Sequence, residues 1–144
     1  MTKKLLSKHD QLLQAVKFNS DGLLPCIAQC STTNRVLMMA WMNQEALSQT
    51  IEKGEAVYWS RSRQQLWHKG EQSGHTQKIV AIQIDCDGDT LLIKVEQHGN
   101  IACHTGTNSC FYRELDTDRA NVESVSWKDI EQPLKNSEDI YSKS

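Results

Sequence analysis

The chain is 144 residues long, with 38% hydrophobic and 24% charged residues and a formal net charge of -2. That length accommodates one domain around a single core, and the composition is that of an ordinary globular protein. So slight a charge gives no general attraction to nucleic acid or to an anionic membrane, and an anionic ligand needs a local basic patch.

Residues 1–17 carry lysines but are broken by His9, Asp10 and Gln11 before an apolar run of signal-peptide length develops, so export by that route is not expected. No stretch approaches the roughly 20 apolar residues of a membrane span. The five cysteines read as free thiols or metal ligands in a reducing cytoplasm, not as a disulfide framework. Leu12, Leu13 and Val16 after Asp10 predict a short amphipathic helix. Residues 25–30 and 36–42, joined through Ser31-Thr32-Thr33-Asn34, predict a hairpin.

Asn43 is placed to cap a helix over residues 44–53, with Ala46, Leu47, Thr50 and Ile51 at helical spacing and Gly54 placed to end it. Further strands are expected over 56–60, 79–84 and 91–97, with loops at 64–77 and 99–109. After Leu115 the apolar content drops and acids outnumber bases, so 116–144 is expected to be a partly ordered tail anchored by Trp127 and Ile130. The fold class is a β-rich α+β domain over 1–115.

The chemistry concentrates between Ile84 and Phe111. Asp85, Asp87 and Asp89 form a hard-oxygen set suited to magnesium, calcium or manganese, whereas Cys86, Cys103 and Cys110 form a thiolate set suited to zinc. Three thiolates leave a fourth position open, which is the catalytic arrangement. Each set also has a plain reading. Asp-Gly segments between strands are ordinary turn chemistry, and free cysteine is often a small buried hydrophobe. The spacings between the three cysteines, sixteen and six intervening residues, match no standard zinc pattern.

Asp85, Asp87, Asp89 and Glu96 also mimic a calcium loop, but Thr90 stands where glycine is needed and the apolar run Leu91–Val95 fills the loop. If the segment is extended, the three aspartates share one face and Cys86 the other, and the two metals lie on opposite sides of the strand. Alternate side chains of a strand are roughly 6.5 Å apart, so the turn at Gly88 must curl, or water must bridge, before they hold one cation.

Cys26 and Cys30, in an apolar strand, read as core thiols. His104, next to a presumed ligand, is a proton-transfer candidate. The basic stretch with Arg61, Arg63 and Lys69 is either a solvated strand edge or, flanked by Trp59 and Trp67 and followed by the 69–74 loop, a site for phosphates and a flat heterocycle. The residues alone therefore point to a metal-dependent enzyme acting on a small phosphorylated, purine-like substrate.

Five blocks closely resemble the phosphoribosyl-AMP cyclohydrolase family. They are Trp41-Met42-Asn43-x-Glu45-Ala46-Leu47, Tyr58-Trp59-Ser60-Arg61-Ser62-Arg63, Leu66-Trp67-x-Lys69-Gly70-Glu71-x-Ser73-Gly74, Asp85-Cys86-Asp87-x-Asp89, and Ala102-Cys103-His104-Thr105-Gly106 with Ser109-Cys110-Phe111. The resemblance covers about residues 18–115. It implies hydrolysis of the N1–C6 bond of the adenine ring of phosphoribosyl-AMP, in histidine biosynthesis; since ribosylation at N1 leaves C6 electron-poor, the expected mechanism is attack of a zinc-bound water on C6.

It further implies zinc at Cys86 of one subunit with Cys103 and Cys110 of the other, in an intertwined homodimer, and magnesium at Asp85, Asp87 and Asp89. His104 takes the proton-transfer position. From their own chemistry, and not from the resemblance, Arg61, Arg63 and Lys69, with Trp59, are expected to hold the substrate and its two phosphates. The fold implied is a small folded mixed sheet, barrel-like, with few helices. Cys30 and Asn34 depart from the family's usual acid and glycine, away from the metal blocks. The residues after Leu115 are too few for the full-size pyrophosphohydrolase domain into which many relatives continue. The competing class is a non-catalytic metal-binding or regulatory module.

Overall fold

A computed structural model describes residues 8–118 and 121–136, so residues 1–7 and the last part of the expected tail, 137–144, lie outside the described residues. The elements in chain order are α1 (Lys8–Gln14), β1 (Leu24–Cys30), β2 (Val36–Met42), α2 (Gln44–Lys53), β3 (Val57–Ser60), β4 (Gln65–His68), β5 (Gln77–Ile84), β6 (Leu91–Gln97), β7 (Arg113–Asp118) and β8 (Asn121–Asp129).

Local chemistry accounts for the best-predicted part. In the β1–β2 hairpin, Asn34 takes a left-handed φ of 63° and donates its N–H to the Cys30 carbonyl at 2.9 Å, the conformation a short polar residue tolerates. The Asn43 side chain accepts the Ala46 N–H at 2.8 Å, and Gly54, at φ 68°, closes α2 by donating to the Thr50 carbonyl. Thr50 then fastens α2 to β3: its buried hydroxyl oxygen accepts the Val57 N–H at 3.0 Å.

The main sheet has the order β4-β3-β2-β1-β6-β5. Only the β1–β6 pair is parallel, so the sheet is mixed. It curls into a half-barrel. The start of β5 is drawn onto the residues just before β3, where Ala56 donates to the Gln77 carbonyl at 2.9 Å and Ile79 to the Gly54 carbonyl at 2.8 Å. Alternate residues of β1 (Leu24, Cys26, Ala28) and β6 (Leu91, Ile93, Val95) point inward and are buried. Burial pushes the Cys26 thiol up to about 12, making it an inert core thiol. Cys30 packs on the core's margin, half-buried; there burial is outweighed by hydrogen bonds with Thr32 and Thr33, which bring its thiol down to about 7.

Two expectations are revised. The predicted loop 64–77 contains β4, which pairs with β3 from Val57 opposite His68 to Ser60 opposite Gln65. Four residues with two apolar side chains are too few to show alternation, and this strand exists because β3 offers it an edge. Part of the expected tail is a second sheet, the β7–β8 hairpin, on which Trp127 is exposed; Ile130, just beyond it, is exposed too. Scattered acids in 113–129 mask its alternation.

The curl is closed from inside by polar side chains. Tyr58 donates its hydroxyl to Gln77 Oε1 at 2.6 Å, Gln77 donates to Gln97 Oε1 at 2.9 Å, and Gln97 donates to the His75 carbonyl at 2.9 Å. These side chains are buried and link β3, β5, β6 and the loop before β5. Tyr58→Phe keeps the shape and leaves Gln77 Oε1 without its donor, so we expect a loss of about 1–3 kcal/mol. Urea unfolding should show a lower midpoint at unchanged slope; an unchanged midpoint would remove this chain from the account of closure.

Candidate active site

The aspartate segment is the turn from β5 into β6, and it is curled, not extended. Asp85 Oδ1 accepts the N–H groups of Asp89 at 3.0 Å and Thr90 at 3.2 Å, while Gly88, at φ 79°, donates to the Asp85 carbonyl. The Gly88 carbonyl takes the Lys17 N–H at 2.7 Å, and a Cβ on Gly88 would lie 2.6 Å from the Ala15 carbonyl oxygen. Glycine is required there on two counts, space and φ. The curl brings one carboxylate oxygen from each of Asp85, Asp87 and Asp89 within 4.8 Å of the others, all exposed.

Such crowding is unfavourable without a cation. The carboxyl of Asp87 is pushed up by hydrogen bonding and repulsion from Asp89 and Asp85. Asp85 goes the other way, because hydrogen bonds from Asp87, Asp89 and the turn's N–H groups outweigh its slight desolvation. Three carboxylate oxygens gathered this closely on one exposed turn fit a divalent cation such as magnesium. Cys86 lies exposed on the same turn.

The other thiols belong to the loop after β6. Cys103 is buried, and its Sγ accepts the Thr105 hydroxyl at 3.0 Å. Burial raises its thiol, but hydrogen bonds from Thr105, Thr107 and Cys110 outweigh that and bring it below the ordinary value. Cys110 donates its N–H to the Leu37 carbonyl at 2.7 Å. Desolvation of its sulfur, with the charge and hydrogen bond of Cys103, pushes its thiol up to about 12, against the pull of Lys69. The two sulfurs interact directly through a hydrogen bond and charge, a fitting half-site for a soft cation.

Cys86 does not join them within one chain. It precedes β6 and the pair follows it, and a strand of seven residues spans roughly 20 Å. Among the described residues, the aspartates are the one group of three or more metal-ligating side chains that is gathered.

Two depressions meet at Cys110. The first, of about 330 Å³, is lined by Met38, Arg63, Trp67, residues 68–73, Ala102, His104 and Cys110. The second, wider and about 570 Å³, is lined by Trp41, Trp59, Arg61 and Phe111, and shares Arg63, Trp67 and Cys110 with the first. His104 is exposed at the first. Lys69 is buried with its Nζ 5.6 Å from the Trp67 ring centre; burial lowers its ammonium pKa, and the charges of Cys110 and Cys103 act in the opposite direction. Arg61 stacks over the Trp41 ring at 4.8 Å. Lys69 and Arg61 thus serve different depressions, and Arg63 reaches both.

Sequence reasoning passed over the residues that hold the thiol loop. Ser109 hydroxyl donates to the Val36 carbonyl at 2.8 Å and accepts the Phe111 N–H at 2.9 Å. Glu131 pairs with Arg35, which donates to Asn108 Oδ1 at 2.9 Å. Glu131 sits in an acidic stretch of tail-like composition that carries no signal of this role.

The family model described as phosphoribosyl-AMP cyclohydrolase matches residues 38–112. Curated relatives of that name are similar almost end to end. The protein of Nitrosomonas europaea is 54% identical over 134 residues, covering 93% of this chain and 98% of its own. That of Janthinobacterium sp. is 53% identical over 136 residues, covering 94% and 99%, and that of Azoarcus sp. 53% over 137 residues, covering 95% and 100%. The matched span runs from β2 through both depressions to Cys110, and the chain belongs to the phosphoribosyl-AMP cyclohydrolase family.

Proposed function

We propose that this enzyme hydrolyses the N1–C6 bond of the adenine ring of 1-(5-phosphoribosyl)-AMP, giving the phosphoribosylformimino-aminoimidazole carboxamide ribotide of histidine biosynthesis, in the cytoplasm. The observation that carries the reading, beside family membership, is that two depressions with different walls converge on Cys110. The substrate has the same plan: one flat ring, with a phosphorylated ribose on N1 and another on N9. Its C6 would sit at the thiol pair and its arms would lie in the two depressions.

Lys69 and the backbone of 70–73 suit one phosphate, Arg61 the other, and Arg63 stands at the junction. Trp59 and Trp41 offer apolar walls to the second arm. Ribosylation at N1 leaves C6 electron-poor, so water adds there and the tetrahedral carbon then expels N1 in preference to the exocyclic amine. That departure needs a proton delivered to N1, and His104, at the rim of the first depression, is our candidate for moving it. Cys103 and Cys110, with Cys86 of the partner subunit, would hold a zinc ion, which would supply Lewis acidity that lowers the pKa of water to about 7. Asp85, Asp87 and Asp89 would hold magnesium, which would neutralise the carboxylate cluster.

The distance of Cys86 from the pair supports a homodimer with shared sites. So does the exposure of Val80, Ile82 and Ile84 on β5, the edge strand leading into the Cys86 turn. No helix among the described residues is long and apolar enough to cross a membrane.

Ring opening is followed by ultraviolet absorbance. We expect turnover by the metal-replete protein, its loss to a zinc chelator, and none in Cys103→Ser; no turnover by metal-replete dimer would favour a non-catalytic metal-binding module. Arg61→Ala and Arg63→Ala should each raise KM about tenfold, the loss of roughly one charge-assisted hydrogen bond, with kcat changed far less. Unchanged Michaelis constants in both would remove the phosphates from this patch.

A further inference from the structure

We infer that the segment after β8, residues 130–136, is a strap that sets the thiol loop, with Glu131 as its positioning residue. The loop from Ala102 to Phe111 buries few large apolar side chains, and its shape is held by hydrogen bonds. Several of the outer ones come from this segment. Glu131 Oε1 accepts the Ser109 N–H at 3.3 Å, next to Cys110. Its other oxygen pairs with Arg35, whose guanidinium also holds Asn108. Leu134 donates its N–H to the Gly106 carbonyl at 2.8 Å, midway between the two cysteines, and Ile130 donates to the Tyr112 carbonyl at 2.8 Å, just beyond them.

Gly106 records how close the strap lies. It takes φ 94°, and a Cβ there would collide with the Lys135 carbonyl and touch Pro133. The Glu131 carboxylate is largely shielded, with its side chain 16% exposed, so removing it leaves the buried Ser109 N–H without an acceptor and costs Arg35 its ion pair. Arg35 and Glu131 both fall outside the matched span 38–112, one before it and one after. The bracket is therefore built from residues flanking the matched span, and it acts on the Cys103–Cys110 geometry through Ser109, Asn108 and Gly106. It touches neither phosphate arm.

The consequence for metal rests on reading Cys103 and Cys110 as zinc ligands; the bracing itself does not. The full-length dimer is therefore tested by two readouts. In zinc-free protein, iodoacetamide labelling with peptide mass spectrometry follows each cysteine separately, and Cys26, buried in the β1 core, serves as the internal control for general unfolding. Glu131→Ala should speed labelling of buried Cys103 about tenfold while Cys26 labels at its wild-type rate, and weaken zinc binding, measured against a chromophoric chelator, by about tenfold, the usual effect of losing an outer partner of a ligand loop.

Glu131→Gln keeps an acceptor for Ser109 and should fall between Glu131→Ala and wild type. KM should stay within about twofold in both, since no substrate contact is lost. Arg35→Met provides a second opening of the same bracket should Glu131→Ala fold poorly by circular dichroism. Cys103 labelling at the wild-type rate in Glu131→Ala and in Arg35→Met would overturn the strap. Absence of zinc from these cysteines in the wild type would instead overturn the metal reading, leaving labelling to decide the strap alone.

Discussion

Strand β6 fixes the separation of the two ligand sets, and the rest of the site follows from that. It is buried between β1 and β5, with Leu91, Ile93 and Val95 in the core, so neither end can move toward the other without unpairing two ladders. At one end the chain turns through Asp85, Cys86, Asp87 and Asp89; at the other it runs into Cys103 and Cys110. A hard-oxygen cluster and a soft thiol pair thus leave opposite ends of a strand roughly 20 Å long and are not gathered into one group. On the proposed reading of Cys86, Cys103 and Cys110 as one zinc set, a second copy supplies the missing sulfur, and the exposed aliphatic residues on β5 are where that copy would dock.

Closure of the half-barrel places the other half of the chemistry. The Tyr58–Gln77–Gln97 chain draws the start of β5 against β3, and the loop that carries Lys69 is drawn in with it. Gly70 makes the fit possible, because any Cβ at its φ of 83° would collide with the backbone of His75 and Thr76. Lys69 then lies buried near the thiol pair, where its positive charge and the sulfurs' negative charge favour each other's ionised form. Arg61 stays outside on the Trp41 ring. The basic residues that look like one patch along the chain thus become a buried ammonium beside the thiol pair and an exposed guanidinium in the neighbouring depression.

What could be read from the sequence was what local rules determine. Asn43 and Gly54 bound α2 because side-chain capping and a left-handed glycine are encoded within four residues, and the hairpin turn through Asn34 is equally local. The curl of Asp85–Asp89 was legible as a requirement, since three carboxylates in an extended strand lie too far apart, and the glycine at 88 meets it. Strand β4 was not legible, because its pairing depends on the edge of β3 and not on its own four residues. The β7–β8 hairpin and the Glu131 strap were hidden for a related reason: their partners, Arg35 above all, lie far away in sequence, and an acidic composition is the same whether or not those partners exist. The two depressions, and the meeting of both at Cys110, arise only from the closed sheet.

The shared site is tested most directly by mixing inactive parents. Cys86→Ser and Cys103→Ser homodimers are each expected to be inactive, but after unfolding, mixing and refolding together, half the dimers should be hybrids carrying one intact thiolate set out of two, restoring about a quarter of wild-type turnover. Recovery at that level, with zinc bound in proportion, is what the account predicts. No recovery in mixtures shown to contain hybrid dimers would mean that Cys86 and Cys103 act within one chain or not at all, and would contradict it.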